Sequence, residues 1–354
     1  MPTSSARSRR ARPVDPGAAD RPVDFPDVRL HVVTGKGGTG KTTVAGALAL
    51  ALAGQGRRVL LCEVEDRQGI AQVFDVPPLP YAERSIAVGP YGGEVFALAV
   101  EARAALLDYL DMFYKLGRAG KVLDKVGAVD FATTIAPGLR DVLLTGKVYE
   151  AVRRTKKGSK RRVYDCVVLD APPTGRITRF LNVNNEVSGL AKMGPIRNQA
   201  DGIMTLLRSP ATAVHVVTLL EEMPVQETLD GIDELTAARL PVGGVVVNGV
   251  REDLLPARAL TAVDAGRLDE AGVRAGLVAA GLVGNDASPR ARTMAAGLVE
   301  QGAEHSRRLA LQRRERSELD ALDHPVYELG YLAGGVDVGG LYELAEQIRR
   351  QGLA

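Results

Sequence analysis

The chain has 354 residues, enough for one large domain or two modest ones. Hydrophobic residues make up 45% and charged residues 25%, a globular balance that excludes a wholly disordered or fibrous protein. A net charge of +2 leaves no overall field that would advertise nucleic acid or membrane as the partner, and 4% aromatics without tryptophan argue against single-strand base stacking. Two cysteines, Cys62 and Cys166, make no zinc ligand set and fit a reducing, cytoplasmic compartment. The longest apolar run, Val44 to Gly54, falls short of the ~20 residues that cross a bilayer.

Residues 1–27 carry Ser, Pro, Ala and Arg without apolar periodicity and read as a disordered tail. No apolar stretch follows Arg9-Arg10, so the pair does not read as an export signal. From Val28 the pattern changes. Leu30 to Val33 is a short apolar strand running into a glycine-rich turn, Lys41 to Gln55 a helix of small residues, and Arg58 to Glu63 the next strand. Further buried-type strands are expected at 95–100, 163–169, 213–219, 242–248 and 325–329, separated by helical patterns. Such alternation predicts an α/β fold, a mostly parallel central sheet covered by helices on both faces. Residues 28–354 are expected to form a single domain. Helical insertions at about 101–155 and 176–208 read as an inserted helical subdomain, and a long charged helix is expected from Ser288 to about Leu322.

Gly35-Lys36-Gly37-Gly38-Thr39-Gly40-Lys41-Thr42, followed by Thr43, satisfies G-x-x-x-x-G-K-[ST] between a strand and a helix, the context of a phosphate loop (P-loop). Its glycines let successive N–H groups face an anion, and the helix N-terminus adds partial positive charge. Lys41 is expected to reach the β- and γ-phosphates and Thr42 to place its hydroxyl on Mg²⁺. Lys36 stands out because only ten of the 45 basic residues are lysines, and two fall within six positions.

The second anchor is Val167-Val168-Leu169-Asp170-Ala171-Pro172-Pro173-Thr174-Gly175. An apolar strand delivers Asp170 at its carboxyl end, where ligands bind open α/β sheets, and an aspartate there can hold Mg²⁺ or its water. The stiff turn after it brings the N–H groups of Thr174 and Gly175 within reach of a γ-phosphate.

GKGGTGKTT at 35–43 and LDAPPTGRITRFL at 169–181 resemble the arsenite-pump and tail-anchored-protein-targeting ATPases, a family of deviant phosphate-loop enzymes. Softer matches are Ile135-Ala136-Pro137-Gly138, VTLLEEMPVQETLDGIDEL at 217–235 and the late helix followed by HPVYEL, so the resemblance covers roughly 28–350. It implies a P-loop fold and a Mg²⁺·ATP-dependent switch. The switch would work as a face-to-face homodimer, or as a heterodimer with a paralogous ATPase, coupled to a client or membrane partner. It further implies that Lys36 reaches the phosphates of the facing subunit, that Asn248 recognises adenine, and that an acidic residue after the second strand orients the attacking water. Counting back from Phe74, that residue is Glu65, with Asp66 as its neighbour, where the family usually has an Asp-Pro-Ala-His run. The added methylene of Glu65 leaves open a nucleotide-binding partner subunit with weak hydrolysis. A spatial regulator resembling the division-site and partition ATPases is a further alternative.

Cys62 and Cys166 lie in apolar strands and read as buried thiols, so zinc is not expected. His31, His215, His305 and His324 show no metal-ligand spacing. The run Arg153-Arg154, Lys156-Lys157, Lys160-Arg161-Arg162 reads either as a solvated loop or as a surface for an acidic partner or membrane.

Overall fold

A computed structural model describes residues 22–65, 67–90, 92–114, 137–181 and 195–354. Most of the tail, Asp66, Ile135-Ala136 and parts of both helical insertions lie outside the described residues. The strands are β1 (Leu30–Gly35), β2 (Arg58–Glu63), β3 (Arg84–Val88), β4 (Glu94–Ala99), β5 (Cys166–Asp170), β6 (Thr212–Thr218), β7 (Val242–Val250) and β8 (Val326–Gly330). They form one sheet in the order β3-β4-β2-β5-β1-β6-β7-β8. Every pairing is parallel except β3 with β4.

The run of valine and leucine in these strands has a simple cause: both faces are covered. Val32, Leu60, Val167, Val216 and Val245 join one core, whereas their neighbours Val33, Leu61, Val168, Val217 and Val246 join the other. On the second face lie α1 (Lys41–Leu52) and α11 (Val338–Arg350). The alanine- and glycine-rich α1 is buried throughout from Val44 to Leu52, since small side chains permit close approach to the sheet. Helix α11 starts where the Asp337 carboxylate accepts the Gly340 N–H at 2.8 Å. It then buries Leu341, Leu344, Ala345 and Ile348, one stripe of a helical surface.

The first face takes α3 (Ala102–Tyr114), α4 (Pro137–Arg153), α5 (Thr174–Leu181), α6 (Pro195–Leu207) and α7 (Glu222–Ala237). Leu106, Leu143, Val148, Phe180, Ile203 and Leu207 from the first four are buried in the same core as the strands. The described helices of both insertions therefore roof the sheet directly.

A short α2 (Gly69–Val73) follows β2, and α8 (Ala257–Asp264), α9 (Glu270–Ala279) and α10 (Pro289–Asp320) lie between β7 and β8. The expected long helix is α10, capped by Ser288, whose hydroxyl accepts the Ala291 N–H at 3.1 Å. With α9 it closes a small separate core around Leu277, Ala291 and Ala295.

Three details differ from the sequence reading. The antiparallel edge strand β3 was not expected, because RSIAV is short and half-exposed. The α1 helix ends at Leu52 and a 3₁₀ turn (Gly54–Gly56) follows it. Strand β5 begins at Cys166 instead of Val163, whose N–H bonds the Arg154 carbonyl in a preceding hairpin.

His31 of β1 and His215 of β6, 184 residues apart, meet in the sheet with Nδ1 and Nε2 3.0 Å apart. The Gly244 N–H donates to His215 Nδ1, so His215 carries its proton on Nε2 and gives it to His31 Nδ1. Burial pushes both imidazoles toward neutrality, His215 down to about 4. A histidine whose folded pKa is lowered contributes stability above its unfolded value near 6.5 and loses about 1 kcal/mol per pH unit below it. Histidine NMR signals of both rings should therefore stay in the neutral form from pH 8 to pH 5. Protonation of either ring near pH 6.5 would contradict this burial.

Candidate functional site

The loop between β1 and α1 sits at the carboxyl end of the central strand, with β5 on one side and β6 on the other. Two glycines are needed for its path. At Gly35 (φ +151°) a side chain would strike the Val217 carbonyl, and at Gly40 (φ +88°) it would strike the Asn248 amide. At Gly37 and Gly38 a Cβ would meet nothing within 4 Å, so the loop opens onto free space. Gly40 is also the N-cap of α1 and provides no side-chain cap, so the first N–H groups of the helix are available to an anion. Thr39 braces the loop from inside, its hydroxyl donating to the Lys36 carbonyl at 2.9 Å.

Lys41 folds back over the loop and its Nζ donates to the Lys36 carbonyl at 3.2 Å. Burial lowers its pKa, while the nearby carboxylates of Asp170 and Glu65 act in the opposite sense. Thr42, one residue into α1, donates its hydroxyl to Asp170 Oδ2 at 2.6 Å, and Thr43 follows half-buried. Asp170 ends β5 and is 8% exposed. This hydroxyl–carboxylate pair, beneath an open loop and beside an ammonium group, is a donor set suited to hard-cation and phosphate chemistry.

Burial raises the Asp170 carboxyl to about 6, against the Thr42 hydrogen bond that favours its charged form, and neighbouring Glu63 adds to the rise. Between the ordinary carboxylate value near 4 and this raised value, the unfolded chain gives up its proton while the folded chain keeps it. Stability thus falls as pH rises through that window and stays lower above it, by about 1–3 kcal/mol. Asp170→Asn should then unfold a few degrees higher than the unmodified, nucleotide-free protein at pH 8, with the gain gone near pH 4. Unfolding below the unmodified protein at pH 8 would mean the carboxylate supports the fold.

Lys36 points elsewhere. Its Nζ pairs with Glu227 of α7 at 2.8 Å, with both side chains partly exposed. The two lysines of the loop therefore have different surroundings, one packed over its own loop and one at the rim. Glu65 follows β2 and faces Arg176 of α5 at 3.3 Å and Arg67 at 3.7 Å. These residues line an open cleft of about 360 Å³ beside α4. Thr174 starts α5 with its side chain packed on Gly231, and beside it Gly175 is open.

Asn248 departs from its expected setting. It does not end β7, which continues to Val250 through an irregularity in its pairing with β8. Its Nδ2 donates to the Thr39 carbonyl at 2.9 Å, so one end of the amide is spent on the phosphate loop.

Glu63, Arg176 and Glu227 were not singled out in the sequence. Glu63 is 4% exposed and accepts the Gly69 and Ile70 N–H groups at 2.9 and 3.2 Å, fixing α2 and both ends of the segment that carries Glu65. A charged residue closing the apolar run RVLLCE was its one available signal. Cys62 and Cys166 are free and buried, and burial pushes the Cys166 thiol up to about 12. Among the described residues, no group of three or more His, Cys, Asp or Glu is arranged to hold a metal ion. No helix of the described residues is long and apolar enough to cross a membrane.

Residues 28–211 match the family model described as anion-transporting ATPase. The ATPase BagA of Mycobacterium tuberculosis (strain ATCC 25618 / H37Rv) is 54% identical over 326 residues, covering 92% of this chain and 94% of the relative. The ATPase get3 of Schizosaccharomyces japonicus is 22% identical over 266 residues, 66% of this chain and 78% of the relative. A Chlorobaculum tepidum protein, whose name assigns it provisionally to driving an arsenical pump, is 25% identical over 214 residues, 59% and 48% of the two chains. With its eight-stranded P-loop sheet and these matches, the chain belongs to the anion-transporting ATPase family.

Proposed function

We propose that the protein is a Mg²⁺·ATP-dependent switch that hydrolyses ATP across a face-to-face dimer, with itself or with a paralogous chain. The observation that carries this reading is the Thr42–Asp170 hydrogen bond under the open loop, beside the Lys41 ammonium. Bound Mg²⁺·ATP supplies a phosphoryl group activated for in-line attack by water. The Gly35–Thr43 loop N–H groups and Lys41 bind and orient the phosphates, and Thr42 and Asp170 hold the metal. Glu65 positions the water, Thr174 and Gly175 report the γ-phosphate through their N–H groups, and Asn248 Oδ1 remains available to the base.

Lys36 is the residue that calls for a second subunit. Its ammonium is partly exposed and pairs with Glu227 of α7, whereas that of Lys41 bonds its own loop, and this difference supports a role in which Lys36 reaches a neighbour's phosphates. An exposed pair of this kind is worth only about 0–1 kcal/mol, so dimer closure can exchange it for phosphate contacts. Opening and closing of that dimer would move a client or power a membrane partner. The unpaired buried thiols agree with work in a reducing cytoplasm.

Thermal unfolding is the first test. ATP with Mg²⁺ should raise the unfolding temperature well beyond ATP with chelator, because stabilisation follows the ratio of ligand concentration to dissociation constant. The increment should shrink below about pH 6 as Asp170 takes up its proton. Equal shifts with and without Mg²⁺ would refute the roles of Thr42 and Asp170.

A further inference from the structure

The basic run at 153–162 plays no part in the nucleotide site. Its first residue, Arg153, ends α4, and the rest forms a hairpin before β5, closed by an antiparallel bridge between Thr155 and Arg162. The Lys156 N–H donates to the Arg161 carbonyl at 2.8 Å and the Val163 N–H to the Arg154 carbonyl at 3.0 Å. At the turn, the Ser159 N–H donates to the Lys156 carbonyl at 3.0 Å and Gly158 adopts φ +73°. The charges are thus carried on an ordered scaffold.

Three of the seven basic side chains are used locally. Arg154 pairs with Glu83 and Glu150, Arg153 donates to the Tyr149 hydroxyl, and Arg162 donates to the Val152 carbonyl. Lys156, Lys157, Lys160 and Arg161 are exposed at the tip, and no acidic residue lies between 153 and 162. Just before β1, burial lowers the pKa of Arg29, and Arg162 at the base of the hairpin adds to that lowering. The run alone exceeds the whole chain's net charge of +2, so the rest of the molecule is net negative.

Position sharpens the reading. The hairpin leads into the amino end of β5, where Asp165 and Val167 bond the backbone of Arg58 and Arg29, while the phosphate loop lies at the carboxyl ends. A partner at the hairpin would leave the nucleotide face free. From Thr155 to Arg162 there is no apolar or aromatic side chain. The tip therefore lacks both the buried anchor that protein interfaces rely on and the stacking platform of single-strand binders. Three of the chain's ten lysines gather here, although arginines are far more numerous. A compact ammonium suits a diffuse array of phosphates better than the bidentate recognition at which arginine excels.

The geometry points to the 153–162 hairpin as a docking surface for an anionic lipid bilayer, held by charge without insertion. The contact is electrostatic and acts within a Debye length of about 8 Å at physiological salt.

The test uses the full chain and vesicles of phosphatidylcholine with about 30 mol% phosphatidylglycerol, read by co-sedimentation. The protein should sediment with these vesicles, ignore pure phosphatidylcholine, and come off as salt is raised. The triple variant Lys156→Ser, Lys157→Ser, Lys160→Ser should lose roughly a hundredfold in partitioning, at about fivefold per charge. Its unfolding temperature and nucleotide binding should not change. The matching triple arginine variant should keep binding. Equal sedimentation with neutral vesicles, or an undiminished triple serine variant, would overturn the proposal. So would single-stranded RNA that binds the hairpin tightly while anionic vesicles do not. None of these outcomes depends on ATP hydrolysis.

Discussion

Lys41→Ala should lower ATP affinity or turnover by at least about a hundredfold while leaving the protein folded. Lys41 folds back over the loop, and the carboxylates of Asp170 and Glu65 lie close enough to act on its ionisation. Removing it takes away a positive charge that offsets those two carboxylates and the phosphate charge. The fold should tolerate the change, because Lys41 is the first residue of α1 and its ammonium donates to a loop carbonyl, that of Lys36. Alanine is moreover a better helix former. Isothermal titration and a phosphate-release assay would check both halves. Unchanged affinity and turnover in a folded variant would remove the phosphate-loop assignment.

Lys36→Ala and Glu65→Gln should give a different phenotype: near-normal ATP binding with hydrolysis reduced by two or more orders of magnitude. Lys36 sits at the rim beside Glu227, so its loss leaves the Lys41 side of the loop intact. Glu65→Gln keeps the shape and can still accept from Arg176, but it can no longer act as a carboxylate toward water. That variant should accumulate as a nucleotide-bound dimer, readable by sedimentation velocity with ATP. Wild-type turnover in Lys36→Ala would exclude a role for this lysine in catalysis.

The strand–loop–helix setting of residues 35–43 and the place of Asp170 at the end of β5 were legible because each depends on a local pattern: a strand, a turn chemistry and a following helix within about ten residues. The parallel sheet was legible for a related reason, since strands covered on both faces must be apolar throughout. Strand β3 escaped because its half-exposed run lacks that signature, although the glycine- and proline-rich turn at 89–93 before an alternating run was a hairpin signal. The contacts that complete the site are of another kind. Lys36 meets Glu227, Glu65 meets Arg176, and Asn248 meets Thr39 across as many as 209 residues. No periodicity encodes such pairs. The His31–His215 pair shows the same limit, because metal-ligand spacing along the chain says nothing about two strands that flank each other in the sheet.

Complementation between two inactive variants tests the central claim, that one ATP site draws lysines from two subunits. Lys36→Ala protein is mixed with Lys41→Ala protein, subunit exchange is confirmed by differential labelling, and ATP turnover is measured. In a mixed homodimer the Lys36→Ala subunit keeps its own Lys41 and receives Lys36 from its partner, so one site per dimer is complete. The account predicts recovery of up to about half of the sites in those mixed dimers, from a near-zero baseline for either variant alone. Confirmed exchange with no recovery would contradict it.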